Sequence, residues 1–203
     1  MPDLGHHSAI PLGLKLIYTL FVVVLVPLYW RYYGPSNFLW FSDLALLLGL
    51  VAAWLESPLL ASMQALSVTL LETVWLFDFL IGLIVGRSPI GLSVYMFDPK
   101  VPRGIRALSL FHVAMPFLFP YLVWWLGYDL RALSIQTVSC WVVLLTCYSF
   151  TEPGRNINWV FGPGEQPQRR MSPRLYLLLL MAFFPICVYL PSHFLFERLF
   201  PRN

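Results

Sequence analysis

"PLLASMQALSVTLLETVWLFDFLIGLIVG", residues 58–86, is a long apolar run with only two charged side chains, Glu72 and Asp78. An α-helix rises about 1.5 Å per residue, and the hydrocarbon core of a bilayer is about 30 Å thick. A helix over this run is therefore longer than a perpendicular crossing needs. The run predicts a transmembrane helix that is tilted or extends past the membrane.

The composition of the whole chain agrees with a membrane environment. Of its 203 residues, 59% are hydrophobic and 11% are charged, whereas soluble domains carry about 25% charge. The net charge is +3, and the basic residues lie mostly between apolar runs. This placement suits membrane orientation and argues against nucleic acid as a partner. We expect the lipid bilayer to be the main partner.

Six runs are long enough to cross a bilayer, so we expect an all-α, polytopic transmembrane helix bundle that forms a single integral membrane domain over residues 1–203. The predicted spans are Pro11–Trp30, Asn37–Leu55, Pro58–Gly86, Ile105–Gly127, Leu130–Phe150 and Arg174–Phe196. Two prolines lie inside the fourth span and two inside the sixth, and proline interrupts the helical hydrogen-bond ladder. The fourth and sixth helices should therefore be kinked.

The connections alternate in length. Residues 56–58 and 127–131 form tight turns, whereas the connections 31–36, 87–104 and 151–173 are longer. Six spans place the three longer connections on one side of the membrane.

Basic residues predict the orientation. The longer connections and adjacent helix ends hold nine, namely Arg31, Arg87, Lys100, Arg103, Arg106, Arg155, Arg169, Arg170 and Arg174. The other side holds four, namely Lys15, Arg131, Arg198 and Arg202. Cytoplasmic loops carry an excess of Lys and Arg. We therefore expect the longer connections in the cytoplasm and both termini outside.

Small residues form two stripes at helical spacing. One stripe allows another helix to approach the second span closely, and it consists of Ala45, Gly49 and Ala53. The other stripe leads to Glu72 and should turn this carboxyl group toward the bundle; it consists of Ala61, Ala65 and Thr69.

Ionisable side chains inside spans mark a candidate catalytic site, because such residues usually face protein or water. Asp43, Asp78 and His112 each lie ~10–12 Å from the same membrane face, and Glu72 lies deeper. We expect the first three to converge and to supply acid–base chemistry or metal ligands, with Glu72 as an orienting group or base. The alternative is that each is a separate interfacial residue. The metal remains unknown, since the sequence has no H-x-x-x-H, H-E-x-x-H or G-x-S-x-G pattern.

The fourth span brings a histidine next to free backbone carbonyls. Pro116 cannot donate to the carbonyl of His112, and Pro120 cannot donate to that of Pro116. Such a place suits a cation, a proton or a polar head group. The natural partners of Glu72 are therefore His112 or the carbonyls freed by Pro116. A packing kink with a hydrogen-bonded histidine explains the same pattern.

The loop "TEPGRNINWVFGPG", residues 151–164, is unusually polar for this chain. Asn156 and Asn158 offer donors and acceptors, and Trp159 can enter the membrane interface. We interpret the loop as a cap over the cluster, with these three residues as candidate binding residues. The alternative is an ordinary re-entrant connection held by Trp159.

The three cysteines predict no metal or redox site. Cys140, Cys147 and Cys187 lie inside apolar runs without metal-binding spacing, so we interpret them as small buried hydrophobic residues.

Five stretches, "YYGPSNFLWFSDLALLLGL", "WLESPLLAS", "SLFHVAMP", "NINWVFG" and "VYLPSHFLF", carry a resemblance over nearly the whole chain from Trp30 onward. The sequence resembles a family of bacterial polytopic integral membrane proteins that are described only as membrane-associated. The resemblance implies a bacterial cytoplasmic (inner) membrane and adds no mechanism, substrate or cofactor.

Three functions follow as hypotheses. The first is a membrane-embedded enzyme that acts on a lipid or polyprenyl head group at the cytoplasmic face. The second is a small transporter or proton-coupled carrier, favoured by kinked helices and a carboxylate within the membrane; with six spans and no repeat it would need a homodimer. The third is a non-catalytic accessory membrane subunit.

Overall fold

The computed structural model describes residues 9–164 and 167–200. Within these ranges the regular structure is helical, with short 3₁₀ turns at Pro35–Leu39 and Ile157–Trp159. The helices are α1 (Leu12–Tyr33), α2 (Phe41–Leu55), α3 (Pro58–Val85), α4 (Val94–Phe97), α5 (Arg103–Leu108), α6 (Phe111–Leu126), α7 (Ala132–Phe150), α8 (Pro173–Phe183) and α9 (Leu190–Leu199), with a π-helical segment at Phe184–Tyr189 between the last two.

The all-α membrane bundle is confirmed. Five helical segments are long and apolar enough to cross a membrane, and α2 is a sixth, shorter apolar helix. The α5–α6 pair acts as one of the long segments, and so does the run from α8 to α9. Large apolar side chains cover the outer surface; Ile84 is 86% exposed and Phe150 is 84% exposed. An apolar exterior of this extent is what a lipid environment allows.

The second predicted span, Asn37–Leu55, is divided in the structure. Residues Pro35–Leu39 form a 3₁₀ turn, and α2 begins only at Phe41. The reason is a contact that sequence periodicity does not reveal: the backbone N–H of Phe41 donates to the side-chain oxygen of Asn158 at 3.0 Å. This bond satisfies a donor at the helix start that has no partner within the helix.

Helix α3 lies at the centre of the bundle and packs against α2, α6, α7 and the π-helical segment. Both small-residue stripes face inward as predicted, since Ala45, Ala53, Ala61 and Ala65 are fully buried. Gly49 is also buried, and a Cβ atom there would come within 2.6 Å of the Phe119 ring of α6. The stripe on α2 thus permits close contact with a large side chain.

Of the two proline-containing spans, the last is interrupted, whereas α6 runs through its prolines as one continuous helix. Pro116 and Pro120 lie inside α6, and the last span passes through the π-helical segment, which contains Pro185. Pro185 cannot donate to the carbonyl of Met181. The indole N–H of Trp141 donates to that carbonyl at 2.8 Å, so this acceptor is satisfied despite the break.

The connections separate into two ends of the bundle. At the long-loop end, defined by residues 31–40, 86–110 and 151–172, Arg155 donates to Ser36. The hydroxyl of Tyr29 near the end of α1 hydrogen-bonds Ser109 at 2.6 Å. The three longer connections therefore share one end, as expected from alternation.

The opposite, short-turn end is formed by the residues near 56, 128 and 193. Lys15 pairs with Glu56 at 2.7 Å, and the Tyr128 hydroxyl hydrogen-bonds His193 at 2.7 Å. Arg202, one of the basic residues assigned to this side, lies outside the described residues.

The cysteine prediction is confirmed for two positions and wrong for the third. Cys140 and Cys147 are buried, whereas Cys187 is exposed. Cys187 lies on the outer side of the π-helical segment, where an apolar sequence faces lipid as readily as protein.

Candidate functional site

A buried carboxylate–histidine pair joins α3 to the first turn of α6. Oε2 of Glu72 lies 2.8 Å from Nδ1 of His112. The Glu72 side chain is 7% exposed and the His112 side chain 13%. The sequence predicted the inward face of Glu72, with either His112 or the carbonyls freed by Pro116 as its partner, and the contact with His112 is confirmed. Because Pro116 follows four residues later, the backbone carbonyl of His112 has no helical donor.

Asp43 lies next to this pair. It belongs to the first turn of α2 and is 3% exposed, and its Oδ2 accepts a hydrogen bond from the Asn37 side chain at 3.2 Å. Helix α2 packs against both α3 and α6, so Asp43 lies beside the helices that carry Glu72 and His112. We call Asp43, Glu72 and His112 the acidic–histidine cluster.

Aromatic rings enclose His112. Trp75 stacks on the imidazole with ring centroids 4.7 Å apart, and Phe111 stacks at 4.1 Å. Tyr95 of the short helix α4 meets the imidazole edge-on at 6.4 Å. These apolar surfaces limit water around the ring and strengthen its electrostatic interactions.

Helix α1 also contributes to the cluster. The Tyr29 ring lies 6.5 Å from that of Phe111 and 5.2 Å from that of Tyr33. The cluster is thus surrounded by α1, α2, α3, α4 and α6.

Several buried polar atoms in this region have no hydrogen-bond partner among the described residues. Three of them belong to the cluster or to the rings around His112: Oδ1 of Asp43, Nε1 of Trp75 and the hydroxyl of Tyr95. Buried polar groups are nearly always hydrogen-bonded, so these three atoms retain hydrogen-bonding capacity that the described side chains do not use.

The expected convergence of Asp43, Asp78 and His112 is wrong for Asp78. This residue is fully buried, and its oxygens accept from the hydroxyls of Ser88 (2.5 Å) and Ser93 (2.8 Å) and from the backbone of Ile90 (2.7 Å) and Ser93 (2.8 Å). Equal depth was the basis of the grouping, but Asp78 is rotated away from Glu72 on α3. Asp78 therefore anchors the 88–93 segment.

The loop 151–164 uses its polar side chains for its own structure. Asn156 donates to the carbonyls of Gly162 (2.7 Å) and Gly164 (2.6 Å). Asn158 accepts from Phe41 and donates to the carbonyl of Leu39 at 2.7 Å. Both asparagines are buried, so the amides predicted to bind a ligand bind the backbone in this structure.

Trp159 is half-buried and lies against Trp40, with ring centroids 6.0 Å apart. It attaches the loop to the segment that leads into α2, next to Asn37 and Asp43. The loop therefore reaches the acidic–histidine cluster through this segment. This attachment fits the alternative in which Trp159 holds a connection.

Sequence reasoning did not find Trp75, Tyr95, Tyr29 and Asn37. Trp75 follows Glu72 by three residues and so lies on a neighbouring part of the same helical face, which was a usable signal. Tyr95 and Tyr29 reach the cluster only through tertiary packing, and no local pattern indicates it.

The cluster has the parts for proton transfer. A histidine held by a carboxylate at one ring nitrogen can take or give a proton at the other, and Nε2 of His112 has no hydrogen-bond partner in the described part of the chain. Across residues 9–164 and 167–200, no three His, Cys, Asp or Glu side chains are grouped so that they could hold a metal ion.

Comparison of the chain with protein-family models, with curated proteins and with solved structures finds no match.

Proposed function

We propose that this integral membrane protein is a membrane-embedded enzyme that acts on a lipid or polyprenyl head group, with His112 as general base and Glu72 as the residue that orients it. The supporting observation is the 2.8 Å contact between Glu72 and His112 inside an apolar bundle. A buried carboxylate fixes the imidazole tautomer and stabilises the imidazolium that forms when the ring accepts a proton.

The location of the cluster supports a head group as the substrate. Asp43 lies in the first turn of α2, and Tyr95 lies in α4, between two membrane-spanning segments. Both therefore lie near the long-loop end of the bundle, where the polar part of a lipid is found. The excess of basic residues there favours the cytoplasmic face, and the resemblance favours the bacterial inner membrane as the location.

The test combines lipid analysis with complementation. A deletion strain should accumulate or lose a lipid or polyprenyl species, and the wild-type gene should restore the profile. Glu72→Gln keeps the shape and hydrogen-bonding capacity of the side chain but cannot ionise. We expect it to fold and to restore nothing, whereas Glu56→Gln, which alters a carboxylate at the short-turn end, should restore the profile.

An unchanged lipid profile in the deletion strain would contradict the enzyme proposal. Full complementation by Glu72→Gln would reduce this residue to a structural hydrogen bond and indicate a non-catalytic accessory subunit. Size-exclusion profiles in detergent show whether each variant is folded.

A proton-coupled carrier is the second candidate. The π-helical segment Phe184–Tyr189 favours it, because helices interrupted within the membrane occur in transporters. Proton uptake by vesicles containing the purified protein, abolished in Glu72→Gln, would support the carrier over the enzyme.

A further inference from the structure

The acidic–histidine cluster has more acidic than basic groups. Its ion pair is that of Glu72 with His112, and within residues 9–164 and 167–200 neither Asp43 nor Glu72 pairs with a lysine or arginine. His112 is the one basic side chain paired with the two carboxyl groups in the described part of the chain, so at least one of them has no cationic partner there. A buried carboxylate is costly unless a cation or hydrogen-bond donors satisfy it.

The carboxyl group of Asp43 can accept one more hydrogen bond. Its Oδ2 accepts from Asn37, whereas Oδ1 is buried and accepts from no described residue. A positively charged N–H group satisfies both the charge and the open acceptor, because charge-assisted hydrogen bonds are the stronger kind.

The other two atoms without a partner, on Trp75 and Tyr95, need a hydrogen-bond acceptor. Nε1 of Trp75 can only donate, and the Tyr95 hydroxyl can donate as well; both atoms are buried without a partner. Both rings contact the imidazole of His112. They therefore suit an acceptor-rich group, such as the oxygens of a phosphate.

We infer that the acidic–histidine cluster binds a zwitterionic phosphoethanolamine head group, with its primary ammonium at Asp43 and its phosphate oxygens at Trp75 and Tyr95. The inference rests on the proposed function in taking the ligand as a head group, and it names the class. A quaternary ammonium has no N–H to donate to Oδ1 of Asp43. A head group with a net negative charge is repelled by the carboxyl groups of Asp43 and Glu72.

The test measures binding without turnover. Native mass spectrometry of the full chain in detergent compares phosphatidylethanolamine with phosphatidylcholine, phosphatidylglycerol and N-acetyl-phosphatidylethanolamine, all with the same acyl chains. We expect phosphatidylethanolamine to bind about tenfold or more tightly than each of the others, since a hydrogen bond to a charged group contributes about 1.5–3 kcal/mol. Equal binding of the four lipids, or preference for phosphatidylglycerol, would overturn the inference with no variant needed.

Two variants test the ammonium contact at Asp43 and the phosphate contact at Trp75, and a third variant is the control. Asp43→Asn removes the charge with little change in shape and should abolish the preference for phosphatidylethanolamine over its N-acetyl form. Trp75→Phe keeps a ring and should weaken binding of phosphatidylethanolamine. Glu56→Gln, at the short-turn end, is the matched control and should leave binding unchanged. A folded Asp43→Asn protein that keeps the full preference would place the ligand elsewhere and contradict the inference.

Competition with free phosphoethanolamine distinguishes two sources of the same chemistry. Displacement of the lipid at comparable concentration supports a soluble ligand, and no displacement supports the lipid itself. A failure of the binding test leaves the Glu72→Gln complementation result intact, so the inference and the proposed function fail separately.

Discussion

Gly49 determines how closely α2 can approach its neighbours. A Cβ atom at this position would lie 2.6 Å from Cε1 of Phe119 and 2.7 Å from the Tyr18 hydroxyl. That hydroxyl donates to the backbone carbonyl of Leu46 at 2.6 Å, so it cannot move without losing its acceptor. One missing side chain therefore allows contact with both α1 and α6.

We expect Gly49→Ala to destabilise the bundle by ~1–3 kcal/mol, because overpacking a dense core forces neighbours out of their rotamers. Thermal unfolding in detergent measures the effect. The matched control is Gly13→Ala, since a Cβ atom at Gly13 meets nothing within 4 Å. Equal melting temperatures for the two variants would show that the Phe119 ring has room to move.

Glu56, at the short-turn end, makes the stability of the fold depend on pH. Its Oε1 accepts from Lys15 at 2.7 Å and from the backbone of Ile10 at 3.0 Å, and the hydrogen bond from Lys15 is the main cause of its lowered pKa. A carboxyl group with a lower pKa in the folded state stabilises the fold above its unfolded value of 4.5. That stability is lost as the pH falls through the folded value.

Wild type should therefore melt at a slightly higher temperature than Glu56→Gln at pH 7. The difference should shrink as the pH drops below 4.5. Melting curves of both proteins between pH 7 and pH 3 measure it. A difference that is constant over this range would show that the ionised form of Glu56 does not matter.

The sequence predicted part of the cluster at the level of residues. The inward face of Glu72 followed from helical phase with Ala61 and Ala65, and His112 was one of two partners expected for it beside Pro116. Asp78 was grouped wrongly because the distance from a run's end gives height in the membrane and not rotation. The contacts with Trp75 and Tyr95 depend on how α3, α4 and α6 pack, which no local pattern specifies.

At the level of elements, the segment 88–93 is held by one carboxylate. Asp78 accepts from the backbone N–H groups of Ile90 and Ser93 and from the hydroxyls of Ser88 and Ser93. Helix α4 follows directly and carries Tyr95 against His112. Asp78 thus positions the part of the chain that covers the cluster.

Asp78→Asn replaces one acceptor oxygen by an NH₂ group, which then faces the N–H and hydroxyl donors of the 88–93 segment. We expect hydrogen exchange of the amides of residues 88–93 to become about tenfold faster or more, because hydrogen bonds to a charged group contribute about 1.5–3 kcal/mol. Asp98→Asn is the control, since Asp98 lies outside this contact and accepts from the backbone of Lys100. Unchanged exchange in Asp78→Asn would show that the segment is held by other contacts.

Element boundaries were predictable where a side chain marks them locally. Ser57 and Ser172 accept from the backbone of the third residue after each, and each is followed by a proline at the first helical position. This pattern is a common helix start. The start of α2 was not predictable, because it depends on Asn158, which is far away in the sequence.

At the level of the whole molecule, the alternation of long and short connections gives a topology that can be tested. Single cysteines at exposed Lys100 and Glu152 should be labelled from the same side of the membrane, and one at Leu130, which is 57% exposed, from the opposite side. The background is Cys187→Ala, since the other two native cysteines are buried. We expect the first two to face the cytoplasm.

Labelling of Lys100→Cys and Glu152→Cys from opposite sides would show that the number of crossings is wrong. Labelling of both from outside the cell would reverse the proposed orientation and leave the fold unchanged.

The π-helical segment Phe184–Tyr189 has a consequence for how the last span is encoded. A π turn holds about one residue more than an α turn, so everything after it is rotated by roughly 100°. This rotation brings His193 to the Tyr128 hydroxyl and Phe196 to the Tyr128 ring. Deleting one residue within the segment would leave the span apolar enough to enter a membrane but would present another face to Tyr128. Two separate properties of this span therefore determine its behaviour. Its apolar composition determines insertion into the bilayer, and the number of residues in the π-helical segment determines which face packs against the bundle.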